Sequence, residues 1–155
     1  MKIKKKLFIA FLVTIITVLQ PLAVMADSST SLNVSREYLS DGSYFETIIE
    51  SNSNLKTTMK NATKTTTYKN SNGESLWYAK VTASFYYDGS TSSCTSSSAS
   101  GGSYVSTWKI LSKSSSRTGN VGSATVTAGS YYVGILIGTI TETVTLACDK
   151  NGNLS

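Results

Sequence analysis

Residues 76–95, LWYAKVTASFYYDGSTSSCT, decide the fold class of this chain. Apolar and polar side chains alternate through residue 87 with the period of two that is typical of a strand with one buried face. The alternation predicts that Trp77 and Val81 face a core, while Tyr78 and Tyr86 face solvent. An exposed aromatic ring can stack on a sugar or contact a partner protein, so these two tyrosines are candidate ligand-facing aromatics. The competing interpretation is the ordinary use of tyrosine on an exposed sheet face.

Similar β-prone runs recur along the chain between turn signals. The dipeptides at positions 41–42 (DG), 72–73 (NG) and 88–89 (DG) separate such runs, as the tight turns of hairpins do. No rhythm of strands alternating with helical segments is visible, which argues against a parallel sheet. We therefore expect an all-β domain of six to eight strands, either an antiparallel β-sandwich or a small barrel.

The last apolar region, residues 131–148 (YYVGILIGTITETVTLAC), has two different halves. The second half alternates and predicts that Val144, Leu146 and Cys148 point inward, although Glu142 interrupts that face. The first half is apolar on both faces. Such a pattern favours a central strand that is covered on both sides.

The first 26 residues have the three-part layout of a secretory signal peptide. Lysines precede an apolar run, and small residues follow it, so cleavage is predicted between Ala26 and Asp27. The apolar run, residues 7–19, is short for a membrane span, which needs about 20 residues. We therefore expect a secreted protein, extracellular or loosely associated with the cell surface, with no transmembrane segment in the mature chain.

The signal segment also accounts for the basic character of the chain. Removing its four lysines lowers the formal net charge from +5 to +1. The remaining charge indicates no nucleic-acid partner. We divide the chain into a signal peptide (1–26), an N-terminal hairpin with a polar connector (27–62) and a β domain (63–155). Residues 52–64, NSNLKTTMKNATK, have almost no apolar periodicity and predict a loop.

Cys94 and Cys148 are the two cysteines of the chain. A secreted protein meets a non-reducing exterior, so a disulfide that staples the β domain is predicted between them. Neither has a histidine, an adjacent lysine or a Cys-x-x-Cys partner that would lower its pKa and make it reactive. With Trp108 between them, they resemble the cysteine–tryptophan–cysteine order of immunoglobulin domains in a loose sense, but Leu146 stands where that family has tyrosine.

The composition disfavours an enzyme. The chain has no histidine, which removes Ser-His and Cys-His pairs and imidazole zinc sites. Glu46 and Glu50 on one strand would lie about 13 Å apart along the chain, beyond the separations that glycoside hydrolysis uses. Residues 149–153, DKNGN, begin like a calcium loop, but Leu154 replaces the glycine that such a loop needs. We expect no cofactor and no metal, and a small hydrolase is the least favoured class.

Several segments together resemble small secreted proteins of Clostridia-type Gram-positive bacteria. They are EYLSDGSYFET, YKNSNGESLWYAKVT, TSSCTSSS, STWKI and TETVTLACDKNGNLS. The resemblance implies export and a shared fold, and it implies no particular activity. The sequence thus predicts a secreted, non-enzymatic binding protein at or outside the cell surface, with cell-wall or host glycans or proteins as candidate partners. The alternative is a secreted antagonistic or bacteriocin-like polypeptide.

Overall fold

The computed structural model describes residues 33–51 and 58–155. The predicted signal peptide, with Ala26 and Asp27 at its cleavage point, lies outside the described residues. The described residues form eight strands. They are β1 (Asn33–Tyr38), β2 (Tyr44–Ser51), β3 (Met59–Lys69), β4 (Ser75–Tyr87), β5 (Ser92–Ser103), β6 (Trp108–Thr118), β7 (Val121–Tyr132) and β8 (Ile135–Ala147).

The strands form two antiparallel sheets, which confirms the predicted β-sandwich. One sheet has the order β1-β2-β3-β4-β5 and the other the order β6-β7-β8, and the two do not close into a barrel. Within each sheet every strand pairs with its neighbours in sequence, so both sheets are meanders. Immunoglobulin domains have Greek-key connections instead, so the likeness to them is confined to the sandwich architecture.

Tight turns join strands at the predicted dipeptides. Gly42, Gly73 and Gly89 have φ angles of 82°, 83° and 86°, a region that glycine adopts without steric cost. The turn between β3 and β4 is also held by Asn70, whose Oδ1 accepts hydrogen bonds from the backbone N–H groups of Asn72 and Glu74 at 3.0 and 2.9 Å. These contacts satisfy donors that a tight turn leaves outside the ladder.

The core lies between β4 on one side and β7 with β8 on the other. Trp77, Val81 and Phe85 are fully buried, as the alternation predicted. The inward faces of β7 and β8 are equally closed to solvent. Their buried side chains are Ala124, Val126, Ala128, Val144 and Leu146. The aromatic end of this core contains Trp77 and Trp108, stacked with ring centroids 6.1 Å apart.

The two sheets come closest where glycine and alanine face each other. A Cβ atom added at Gly122 of β7 would lie 2.9 Å from the Cβ of Ala83 on β4 and 3.3 Å from the Sγ of Cys94 on β5. A Cβ at Gly101 of β5 would lie 2.8 Å from a methyl group of Val126 on β7. Side chains at these two positions would push the sheets apart.

The connector prediction was wrong for its last residues. Met59 begins β3, so residues 59–62 belong to a strand, and the boundary drawn after residue 62 falls inside it. This polar segment forms a strand because β2 and β4 pair with it on both sides. Its own sequence lacks the alternation that would predict a strand. The N-terminal hairpin is part of the same sheet as β4. Residues 52–57 lie outside the described part of the chain.

The close approach at Gly122 gives a stability prediction. Gly122→Ala should lower the free energy of unfolding by about 1–3 kcal/mol, because an overpacked core must shift backbone or rigid side chains. Gly138→Ala is the matched control, since no heavy atom of the described residues lies within 4 Å of the added Cβ. Urea denaturation of both variants measures the difference. Equal midpoints for the two would contradict this account of the sheet contact.

Candidate binding surface

The two predicted surface tyrosines lie on the outer face of β4, but only one presents a free ring. Tyr86 is 41% exposed. Tyr78 is half-buried, since its ring packs against Tyr104 with centroids 5.7 Å apart and covers Gly102, where an added Cβ would meet Tyr78 Cε1 at 2.7 Å. The register of β4 is therefore as predicted, whereas the exposure of Tyr78 is reduced by neighbours on β5 and the following turn.

Tyr78 and Tyr86 do not form one platform. They are eight residues apart on an extended strand, which separates them by about 27 Å. The Nζ atom of Lys80 lies 5.9 Å from the centroid of the Tyr78 ring and restricts access to it further. Stacking on one small sugar could therefore involve Tyr86 but not both rings.

The largest apolar exposure is at the turn between β7 and β8. We call residues 131–137 the hairpin tip. Val133 is 82% exposed, Tyr132 71%, Ile135 67% and Ile137 64%. Large apolar side chains grouped in this way on a surface mark a contact site far more often than scattered single ones do. The expectation of a central strand covered on both faces was wrong here, because β8 is an edge strand and its first residues are exposed.

The tip is a defined hairpin. Tyr131 pairs with Leu136 and Tyr132 pairs with Ile135, so the turn consists of Val133 and Gly134. Their φ angles are 47° and 79°, the double positive geometry of a type I′ turn, which favours Asn-Gly. Val133 is the sole non-glycine residue with positive φ among the described residues. A β-branched side chain in this region is strained.

The base of the tip is packed against β6. A Cβ added at Gly129 would lie 2.7 Å from Leu136 Cδ1 and 3.0 Å from Leu111 Cδ1, so both leucines cover this glycine on the outer face. The Nζ atom of Lys109 lies 4.8 Å from the centroid of the Tyr131 ring. The first residue of β6, Trp108, pairs with Ser130, and the backbone N–H of Tyr131 donates to the oxygen of Thr107 at 2.7 Å. Support from this part of the chain therefore ends at Tyr131.

The outer face of the three-stranded sheet, to which the tip belongs, carries no acidic side chain. Residues 89–141 contain no Asp or Glu, while Lys109, Lys113 and Arg117 lie on β6. The outer face of the three-stranded sheet is an array of hydroxyl groups, and two pairs of them are hydrogen-bonded at 3.0 and 2.9 Å, Thr125 with Thr143 and Thr127 with Thr141. The array is formed by Ser112, Ser114, Ser116, Ser123, Thr125, Thr127, Thr141, Thr143 and Thr145.

The carboxylates with the most contacts have structural partners. Glu46 accepts hydrogen bonds from Lys69 Nζ at 2.7 Å and Arg36 Nε at 2.8 Å, and these cations lower its pKa. Glu50 accepts one from Thr63 Oγ1 at 3.3 Å.

The segment that begins like a calcium loop is a C-terminal turn. There Asp149 accepts two backbone hydrogen bonds at 2.8 Å, and a group of three metal-binding side chains is absent from residues 33–51 and 58–155.

Glu142 is the exception among the acids. It lies on the inward face of β8, opposite Val126, and is half-buried. Burial raises the pKa of Glu142, and the nearby carboxylate of Glu37 raises it further. No hydrogen bond or ion pair to a described residue compensates for the lost hydration, so the charged form destabilises the fold.

Glu142 therefore predicts a pH dependence of stability. A folded pKa above the unfolded value means that the folded state holds the proton more tightly, so the destabilisation is absent below the unfolded pKa and complete above the folded pKa. Glu142→Gln should raise the urea midpoint relative to the wild type near pH 7. The gain should shrink towards zero as the pH falls below the ordinary range of glutamate. A gain that stays constant down to pH 3 would contradict the assignment.

The two cysteines are free thiols in the structure, so the disulfide that the sequence predicted is not formed there. Cys94 Sγ donates to the backbone oxygen of Ser96 at 3.2 Å, and Cys148 Sγ donates to that of Asp149 at 3.5 Å. Each thiol is thus directed to a carbonyl of its own segment and not to the other sulfur. The positions of the two cysteines in the sequence do not predict the directions of their side chains, which a disulfide requires to match.

The cysteine backbones are nevertheless held side by side by the turn after β6. The N–H of Cys94 donates to the oxygen of Gly119 at 2.8 Å, and that of Cys148 donates to the oxygen of Asn120 at 3.1 Å. Arg117 Nη1 also donates to the oxygen of Cys94 at 2.9 Å. These hydrogen bonds connect β5 to the second sheet without a covalent bond.

Both thiols should be slow to react in the folded protein. Burial raises the pKa values of Cys94 and Cys148, so little thiolate is present and access is closed. Titration with a chromogenic disulfide at pH 8 should give slow release from the folded protein and fast release of two equivalents in denaturant. Fast reaction of either thiol in the folded state would contradict the burial. Absence of thiols from the denatured, unreduced protein would show that they pair after all.

No family model, curated protein or solved structure matches this chain. The resemblance to secreted Clostridia-type proteins therefore stays a prediction. In the described residues, no helix is long and apolar enough to cross a membrane.

Proposed function

We propose that this protein is a secreted, non-enzymatic binding protein that acts at or outside the cell surface, and that the hairpin tip is its docking element. The observation that supports the proposal is the grouped exposure of Val133, Tyr132, Ile135 and Ile137 on a short, well-defined hairpin. These exposed side chains do not stabilise the fold, since burying each aliphatic side chain would contribute about 1.5–3 kcal/mol to the free energy of unfolding.

The remaining surface supports binding at the tip over binding at the predicted tyrosines. Tyr78 is packed against Tyr104, and Tyr86 lies at the far end of β4, where its cross-strand neighbour Met59 is also an exposed large apolar residue. The tip, in contrast, combines two tyrosines with aliphatic side chains and lies beyond the ladder of β6. The proposal that the protein is secreted is supported by the signal-peptide pattern of residues 1–26.

The proposal is tested by the binding of labelled protein to intact Gram-positive cells, isolated cell walls and animal cells. The wild type should bind at least one of these surfaces, and the double variant I135T/I137T should bind it much more weakly. Thr keeps the β-branched shape that suits a strand and removes most of the apolar surface. Tyr86→Ser is the matched comparison. Loss of binding in Tyr86→Ser together with full binding by I135T/I137T would place the site on the tyrosine face and overturn the proposal.

An antagonistic polypeptide is the second candidate, and the same exposed tip favours it, because an apolar hairpin can disturb the surface of a target cell. Inhibition of growth of neighbouring strains by the wild type, and its loss in I135T/I137T, would support this candidate. Binding without any effect on growth would leave the binding protein as the better description.

A further inference from the structure

We infer that the hairpin tip docks on the surface of a lipid bilayer that carries anionic headgroups. The inference rests on the proposed function, since it names the partner class of the same surface. The occupant would be the boundary between headgroups and acyl chains, entered from one side and not spanned. Three features of the described residues support it: the reach of the tip, the order of its side chains and the charge around it.

The reach of the tip fits the depth of an interfacial element. The last ladder partner on β6, Trp108, pairs with Ser130, and the turn at Val133 and Gly134 lies three residues further along β7. At about 3.4 Å per residue the turn extends about 10 Å beyond that pair. Apolar elements that lie in the membrane interface are buried by about 5–10 Å. The β3–β4 turn of the other sheet ends at about the same level, since Trp77 stacks on Trp108 and the turn ends three residues before Trp77. The tip therefore reaches the acyl boundary with the outer face of the three-stranded sheet turned towards the bilayer.

The order of side chains along the tip follows the polarity of a membrane surface. The aliphatic Val133 and Ile135 are at the turn, Tyr131 is behind them, and the ammonium group of Lys109 lies 4.8 Å from the Tyr131 ring centroid. Tyrosine concentrates at the headgroup level, and lysine extends its charge outward from an apolar stem. The aliphatic side chains thus correspond to the acyl chains, the tyrosine to the interface and the lysine to the headgroups.

The charge around the tip is complementary to an anionic surface. The outer face of the three-stranded sheet carries Lys109 beside the tip and no acid, so this face can approach negative headgroups without repulsion. Arg117 lies at the opposite end of β6, and Glu37 on β1 and Glu74 in the β3–β4 turn belong to the five-stranded sheet. Glu142 is the first acid encountered on β8, and it faces inward. The attraction should be lost at high salt, because exposed charges are screened within about 10 Å at 0.1 M.

A protein partner or a second copy of the chain fits the tip less well. A stable protein interface takes about 20–30 residues from each side. The tip has seven residues, of which Tyr131 and Leu136 pack at its base, and its flanks are the hydroxyl array and the exposed side chains of β6. A fluid lipid surface needs no complementary shape, so a small protruding apolar group is sufficient for it.

The strain at Val133 makes fold stability and lipid binding separable. An asparagine suits the positive φ of 47° that Val133 adopts, and it removes the apolar side chain at the outermost point of the tip. Val133→Asn should therefore raise the urea midpoint while it weakens lipid binding. A variant that binds less because it has unfolded would show the opposite change in the midpoint.

The test uses the protein recovered from the medium of an expressing bacterium, with its N-terminal residue read from the intact mass. Binding to sedimented vesicles is measured with phosphatidylcholine alone and with phosphatidylcholine mixed with phosphatidylglycerol. The wild type should bind the mixed vesicles more tightly, and I135T and I137T should each weaken binding roughly tenfold. Val34→Thr, the same kind of change on the exposed part of β1, should leave binding unchanged.

Lys109→Gln separates the electrostatic contribution from the apolar one. It should weaken binding to the mixed vesicles in low salt and leave binding to phosphatidylcholine alone unchanged. Equal effects on both kinds of vesicle would contradict a headgroup role for Lys109.

Four results would overturn the inference: no binding of the wild type to either vesicle, full binding by I135T and I137T, full binding by Val133→Asn, or a wild-type dimer in sedimentation that the tip variants lose. The outcome is distinguishable from failure of the proposed function. Tip-dependent binding to cells without binding to vesicles would remove lipid as the partner and keep the binding protein. Cell binding that is indifferent to the tip would remove both.

Discussion

The close approach of the two sheets at Gly122 and Gly101 is the constraint on which the rest of the sandwich depends. At these positions backbone and methyl groups of opposite sheets are so near that any Cβ would lie within 3 Å of a neighbouring carbon. The other end of the core is filled by the stacked rings of Trp77 and Trp108. The separation of the sheets is therefore set by the absence of side chains at one end and by aromatic rings at the other.

This contact explains how a strand as poor in apolar residues as β5 stays attached. Gly101 lets Val126 reach the backbone of β5, and Ser97 Oγ donates to the oxygen of Ser123 across the sheets at 3.3 Å. Ser115 Oγ approaches the oxygen of Ser97 at 3.4 Å in the same region. Small residues and hydroxyl groups thus supply the attachment that the sequence had suggested a disulfide would supply.

The sequence predicted those strands that have one face buried in the core and the other exposed to solvent. Alternation located β4 and the second half of β8, and the Gly-containing dipeptides located turns. It failed where burial depends on partners distant in sequence. Residues 59–64 of β3 are polar and become a strand because β2 and β4 pair with them. Tyr78 is packed because Tyr104 and Gly102 meet it.

The candidate site was the least predictable part, for a related physical reason. An apolar run such as residues 131–137 has the same pattern whether it is covered on both faces or on neither, so periodicity alone cannot distinguish a core strand from a protruding hairpin. The distinguishing feature is topological: β8 is at the edge of its sheet, and β6 ends its pairing at Ser130.

The hairpin tip is best understood as an extension of the core ladder into solvent. The β7–β8 pairing that buries Val126 and Val144 continues without a break in the chain to Tyr132 and Ile135, with one register shift after Ser130. A rigid pair of strands can hold exposed apolar side chains in place at little entropic cost, which a flexible loop cannot do. The fold does not require an apolar side chain at Val133, since asparagine is the residue that a turn of this geometry favours. Val133 is the most exposed of the large apolar residues that the structure describes, and its backbone is strained. The aliphatic side chain at this position is therefore explained by what the tip contacts and not by the fold.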